Sequence, residues 1–210
     1  MKCSIHTIIN GPLRENCYVV RKHDTKFAIL IDPGSEAFKI KRYIDENALK
    51  PLAIIATHGH IDHVGAVKEL KEVYNIPFYM SSKDVKLLRQ ANLYRVLFNI
   101  SEPVIAPVVS NELSSSEHIL KIHPFDIKIM ITPGHTAGSV CLIIDDEIFS
   151  GDTILAECLG RTDLPGGNKD ALTESISRLR KLPNDMMVWP GHGRSFFLRD
   201  FWAKMDGISL

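Results

Sequence analysis

The sequence predicts an α/β fold in which two sheets pack face to face and helices cover their outer sides. Two observations carry this expectation. Strand-like and helical segments follow one another in the order strands, helices, strands, helices, in two halves of similar plan. Four strand-like segments also run into a glycine beside a histidine or an aspartate, as expected where sheet ends carry a site. With no internal repeat and no low-complexity linker, residues 1–210 read as one domain.

The first thirty residues alternate apolar and polar positions in three runs: Cys3, Ile5 and Ile9; residues 17–20; and residues 27–31. Separated by turn material at 10–12 and 22–24, they read as antiparallel strands. After the break at Asp32-Pro33-Gly34, Ser35 is expected to cap a helix to about Asn47 whose buried face carries Phe38, Ile40, Ile44 and Leu49. Residues 51–56 form a short apolar run of buried-strand type, and a helix from His63 to about Tyr74 presents Val64, Val67, Leu70 and Val73 at helical spacing. A strand is expected at 77–80, then a helix capped by Ser81 and Ser82 with Val85, Leu87, Leu88 and Leu93. The segment from about 95 to 118, with Pro103, Pro107 and a serine-rich turn, reads as a loop or lid. Strands return at 119–122, 127–131, 139–144 and 147–149. A helix at 169–181 carries Leu172, Ile176 and Leu179, a strand covers 186–189, and a final helix runs from Phe196 to about Met205.

Composition excludes several classes. The hydrophobic share is 45% and the charged share 24%, ordinary for a soluble globular chain. The 25 basic and 25 acidic residues cancel, so there is no electrostatic footprint for nucleic acid or an anionic membrane surface. No apolar stretch approaches the roughly 20 residues of a membrane span, and the N-terminus lacks the pattern of a signal peptide. Cys3, Cys17, Cys141 and Cys158 lie far apart and form no Cys-x-x-Cys pair, so a reducing cytoplasm is the expected location. Cys158 is expected to be buried and inert.

The chemistry concentrates in residues 57–63, Thr-His-Gly-His-Ile-Asp-His, directly after the run at 51–56. In extended backbone, residues i and i+2 face one side, so His58 and His60 can grip one ion. Gly59 between them adds no side chain to crowd it. Asp62 and His63 follow as the chain turns and can face a second ion. Three more strands end in the same way, presenting His135, Asp152 and His192. A single such site is weak evidence, since a lone aspartate after glycine is usually a turn residue and a lone histidine is usually a packing or surface residue. Four together point to a metal centre. Imidazoles and carboxylates without thiolates suit a borderline or hard divalent ion: zinc foremost, or iron or manganese. His6, His23, His118 and His123 fall outside these motifs and read as surface or packing residues.

The motifs His-x-His-x-Asp-His at 58–63, Gly-His-Thr-x-Gly-Ser at 134–139, Ser-Gly-Asp-Thr at 150–153, Gly-Arg-Thr-Asp-Leu-Pro-Gly-Gly at 160–167 and Pro-Gly-His-Gly at 190–193 resemble the metallo-β-lactamase fold superfamily. The resemblance is strongest to its glyoxalase II-like branch, the hydroxyacylglutathione hydrolases. It implies a four-layer αβ/βα sandwich. It further implies that His58, His60 and His135 hold a first metal, that Asp62, His63 and His192 hold a second, and that Asp152 bridges both. True β-lactamases of the family lack that aspartate, the flavodiiron branch has Glu where His60 stands, and its nucleases carry an inserted domain or a basic exosite. Full glyoxalase II enzymes also carry a C-terminal helical domain that supplies much of the glutathione contact. Little sequence follows His192 here, so the expectation is the branch without that domain.

The resemblance implies hydrolysis of a small thioester of the S-lactoylglutathione type by a hydroxide held between two divalent ions. Asp62 would orient the hydroxide as well as bind metal. The chemistry favours a thioester over an amide, because a thiolate leaves without a strong general acid. The expected partner is therefore a small thioester, glutathione-derived in the reading that the resemblance implies, with neither nucleic acid nor membrane. Arg161 can anchor a substrate carboxylate or tie its own loop through Asp163, and the two-residue spacing favours the tie. The alternatives are an iron persulfide dioxygenase using His58, His135 and Asp152, a hydrolase of another small ester, or a metal-binding protein without activity. The complete second set, Asp62, His63 and His192, speaks against the dioxygenase and the inactive protein.

Overall fold

A computed structural model describes residues 2–90, 92, 105–113 and 116–207. Leu93, residues 95–104 of the expected loop and residues 114–115 of the serine-rich turn lie outside the described residues. β1 (Cys3–Asn10), β2 (Glu15–Lys22) and β3 (Phe27–Ile31) pair antiparallel. β4 (Lys50–Ile55), β5 (Phe78–Ser81) and β6 (Asn111–Leu113) extend that sheet in parallel, in the order β1-β2-β3-β4-β5-β6. The second sheet has the order β12-β11-β10-β9-β8-β7. It is built from β7 (His118–Ile122), β8 (Phe125–Ile131), β9 (Val140–Ile144), β10 (Glu147–Gly151), β11 (Met187–Pro190) and β12 (Phe196–Phe197). In it only β10 and β11 run parallel.

Strand alternation produces the layers. Along β2 to β4, Tyr18, Val20, Ile29, Ile31, Ala53 and Ile55 face the second sheet and interleave with Phe125, Ile127, Ile129, Leu142 and Phe149. The intervening Cys17, Val19, Ala28, Leu30 and Ile54 face outward, where α1 (Ala37–Glu46) and α3 (Val67–Tyr74) cover them with Ile40, Ile44, Val67 and Leu70. On the far side α5 (Lys169–Leu179) and α6 (Leu198–Gly207) cover Cys141, Ile148 and Val188 with Leu179, Phe201 and Trp202. This is the expected αβ/βα sandwich. Each large apolar side chain buried this way contributes about 1.5–3 kcal/mol before entropy costs.

Several elements differ from the sequence reading. Ser35 does not cap α1. Its hydroxyl donates to Asn10 Oδ1 at 3.1 Å, and Glu36 takes the capping position in left-handed backbone. Phe38 and Val73 are exposed, because α1 and α3 bury the arcs through Ile40 and Ile44 and through Val67 and Leu70. The helix expected from His63 is two pieces, α2 (Ile61–Val64) and α3. Between them Ala66 N donates to Pro33 O at 3.0 Å, outside the helical ladder. Ser81 makes no side-chain cap, and a 3-10 turn at Ser82–Asp84 precedes α4 (Val85–Arg89). Within the expected loop, Asn111–Leu113 is a strand paired with β5. Phe196–Phe197 is a strand on β11 rather than the start of α6.

Candidate metal centre

The site lies where four strand ends meet. β3 and β4 are parallel neighbours, so Asp32 and Thr57 emerge side by side. Thr57 N and Oγ1 donate to Asp32 Oδ1 and Oδ2, both at 2.6 Å. β10 and β11 are parallel neighbours in the other sheet and deliver Asp152 and His192. The sheets are joined here by Val140 N donating to Thr57 O at 2.9 Å, Asn16 N to Gly191 O at 2.8 Å and Tyr18 OH to Pro190 O at 2.5 Å. Gly191 permits a close approach: a Cβ on it would stand 2.2 Å from Asp152 Oδ1 and 2.6 Å from His63 Cε1.

All seven residues expected as ligands converge. His58 Nε2 and His135 Nε2 lie 3.0 and 2.9 Å from His60 Nδ1. Asp62 Oδ2 lies 3.2 Å from His192 Nε2 and 3.8 Å from His63 Nε2. Asp152 stands between the two triads, 3.6 Å from each of His135, His63 and His192. His58, His60 and His135 form one group whose ligand atoms lie within 4.8 Å of one another, and Asp62, His63 and His192 form another.

The remaining imidazole nitrogens are held in ways that aim the ligands. His63 Nδ1 sits 2.9 Å from Asp32 Oδ2, His135 Nδ1 2.8 Å from Arg161 O, and His192 Nδ1 3.1 Å from Leu13 O. Each of these oxygens is an acceptor, so the proton belongs on Nδ1 and the Nε2 lone pair points inward. His58 Nδ1 reaches Thr57 Oγ1 at 3.1 Å, whose own proton goes to Asp32.

The residues fit a pair of divalent ions. His63 Nε2 and Asp152 Oδ1 are buried and have no hydrogen-bond partner, although they face one another across 3.6 Å. Buried polar atoms of this kind are ordinarily satisfied, and a cation between them satisfies both. Burial and the neighbouring imidazoles push His58 well below the usual histidine range. Burial and His135 bring His60 down to about 4, so both present neutral nitrogen. Burial opposes charge on His63 and His192 too, but Asp62, Asp32 and Asp152 outweigh it at His63, and Asp62 and Asp152 at His192, raising both. Burial would raise Asp62, yet His63 and His192 hold it well below the carboxylate range.

Three residues in and around the site escaped the sequence reading. Asp32 reads in sequence as part of a break, although it follows a strand as the ligands do. Asp84, buried, accepts from Gly59 N at 2.9 Å, Gly138 N at 2.8 Å and Thr136 Oγ1 at 2.7 Å, and so pins the His60 loop to the His135 loop. A Cβ on Gly59 would meet Asp84 Cβ at 2.8 Å, so that glycine makes room for Asp84 rather than for an ion. Glu15, also buried, has both oxygens unpartnered. Neither Asp84 nor Glu15 belongs to a motif. Arg161 reaches the cavity wall, but its Nε and Nη2 donate to Asp163 Oδ1 and Oδ2 at 3.0 and 2.8 Å, as the spacing suggested. Cys158, expected buried, is exposed on the same wall, because it ends a tight turn closed by backbone bonds between Leu155 and Cys158.

Among the described residues no helix is long and apolar enough to cross a membrane. The family model described as the metallo-beta-lactamase superfamily matches residues 10–192. The chain is 33% identical to the hydroxyacylglutathione hydrolase GloC of Haemophilus influenzae over 86% of each protein. Among solved structures it is similar to BLEG-1, described as a B3 metallo-beta-lactamase, with TM-score 0.87 and 33% identity over 97% of each chain. It is also similar to TTHA1623 in a di-iron-bound form, with TM-score 0.83 and 35% identity over 92% of this chain and 95% of that one.

Proposed function

The chain belongs to the metallo-beta-lactamase superfamily, and on that premise we propose that it is a metal-dependent hydrolase of small thioesters. The observation that carries the reading is the unpartnered pair His63 Nε2 and Asp152 Oδ1, set between two complete ligand triads. The ions would be held by His58, His60 and His135 on one side and by Asp62, His63 and His192 on the other, with Asp152 shared. Zinc suits this donor set, and the di-iron form of TTHA1623 keeps iron in view. Bound there, divalent ions supply Lewis acidity, which acidifies water and polarises a carbonyl.

The chain's own residues account for the remaining requirements. Asp62, kept ionised by His63 and His192, accepts a hydrogen bond from the attacking water and so orients it, while the water's proton passes to solvent. The water oxygen bonds to the thioester carbonyl carbon, the C–S bond breaks, and the thiolate leaves with the electron pair. Because a thiol titrates near pH 8.5, this needs no strong general acid. The hydroxyacylglutathione hydrolase name of GloC supports a thioester. The persulfide dioxygenase reading needs one iron on His58, His135 and Asp152 and gives no role to the second triad.

Hydrolysis of S-lactoylglutathione and of an uncharged butyryl thioester of N-acetylcysteamine, by protein of measured metal content, tests the proposal, with Asp62→Ala as the control and a β-lactam as the competing substrate suggested by BLEG-1. Turnover at about two metals per chain, lost in the variant, is expected. Full metal loading with β-lactam cleavage, or with oxygen uptake on glutathione persulfide, and no thioester turnover overturns it.

A further inference from the structure

In front of the two triads lies a cavity of about 370 Å³, floored by His60, Asp62, His135, Asp152 and His192. Its walls come from Leu13, Leu87, Leu155, Leu159, Leu164 and Pro165. Among the described lining residues Arg161 is the single lysine or arginine, and its Nε and Nη2 donate to the Asp163 carboxylate, which offsets its charge. Beside the wall residue Cys158, Glu157 takes Arg194 at 3.0 Å and also pairs with Lys204, and neither cation lines the cavity.

A glutathione peptide brings two carboxylates and an ammonium. Against leucine walls those charges would lose water and gain no partner, which is strongly unfavourable. An alkyl chain gains from the same walls by leaving water. We propose that this cavity is a site for an uncharged aliphatic chain, so that the part of the thioester seated against these walls is alkyl-type rather than a charged peptide. The assignment of the ester class rests on the thioesterase reading above. The assignment of the cavity rests on its walls alone.

The test uses full-length, metal-loaded protein and two series built on N-acetylcysteamine. The first consists of acetyl, butyryl, hexanoyl and succinyl thioesters, assayed for kcat/KM beside S-lactoylglutathione. The second consists of the matching non-hydrolysable S-alkyl and S-carboxyalkyl thioethers, measured by calorimetry. About 0.8 kcal/mol per methylene corresponds to roughly fourfold in affinity and in kcat/KM for each carbon added. The succinyl compound is expected to fall at least tenfold below the butyryl one. Asp163→Asn, which frees Arg161 on an exposed loop, is expected to close that gap without altering the hexanoyl value. A flat or reversed chain-length series in binding overturns the proposal, and so does tighter binding of the carboxylate compound. If alkyl thioethers follow the trend while no thioester is hydrolysed, the cavity assignment stands and the thioesterase reading falls.

Discussion

His63 Nε2 and Asp152 Oδ1 face each other across 3.6 Å in a buried space, and neither has a hydrogen-bond partner. A carboxylate oxygen and a lone-pair nitrogen repel unless a cation or proton lies between them. Chelator-stripped protein is therefore expected to be markedly less stable than loaded protein. At a free metal concentration 100 times Kd, binding contributes about 2.7 kcal/mol, or roughly 5–10 °C in Tm for a chain of this size. Scanning calorimetry with zinc, manganese or iron restored measures it. Asp152→Ala, which removes the shared ligand, is expected to retain about one metal or fewer. A Tm indifferent to stripping would sink the metal assignment.

The two triads should also part company as pH falls. Burial keeps His58 and His60 below the usual histidine range, so protons compete weakly for them. At His63 and His192 the surrounding carboxylates prevail over burial and raise both, so these two must shed protons before they bind metal. Acidification from pH 8 to about 5 is expected to release the ion of the Asp62, His63 and His192 triad first. Metal content after dialysis at graded pH should descend in two steps, and His192→Ala should lack the upper one. A single step in wild type would contradict this ordering.

The ligands were legible because His58, His60, His135, Asp152 and His192 each follow an apolar strand beside a glycine, with Asp62 and His63 in the helical turn just after His60, so sequence distance collapses once the strands pair. The layers were legible for a similar reason, since alternation along residues 17–20 and 27–31 assigns one face to each core. What could not be read depends on tertiary context. Phe38 lies in helical sequence, but the core takes the arc through Ala37, Ile40 and Ile44 and leaves it exposed. Asn111–Leu113 becomes a strand only by pairing with β5, and two of its three residues are exposed. Asp84 follows Ser82 and Lys83 like any turn residue, and nothing local announces that its carboxylate closes on Gly59 and Gly138.

Asp84 is therefore a position outside the seven ligands where a change should cost heavily. Its carboxylate satisfies two backbone donors and one hydroxyl, each from a loop that carries a histidine ligand. Asp84→Ala leaves all three donors buried and unpaired, so a loss of about 3–5 kcal/mol in urea unfolding is expected. Thr136→Val removes one of the three bonds and should cost about 1–2 kcal/mol. If Asp84→Ala loses no more than Thr136→Val, the carboxylate is not the pin between the loops.

Glu15 poses the opposite problem, a buried carboxyl with no partner on either oxygen. Burial raises it well above the usual carboxylate range, and Asp32, Asp62 and Asp152 raise it further against the pull of His63. The folded protein then keeps Glu15 protonated where the unfolded chain, titrating near 4.5, has released the proton. The unfolded state binds fewer protons above that pH, so this group makes stability fall as pH rises. The slope reaches about 1.4 kcal/mol per pH unit, roughly 3–5 °C in Tm. Glu15→Gln cannot ionise. Its amide adds an unpaired donor, which offsets stability by a constant and leaves the slope free of this group. In metal-free protein, the Tm of the variant relative to wild type should rise steadily from pH 5 to pH 8. A difference that stays level across that range would mean that Glu15 is ionised in the folded state and has a partner after all.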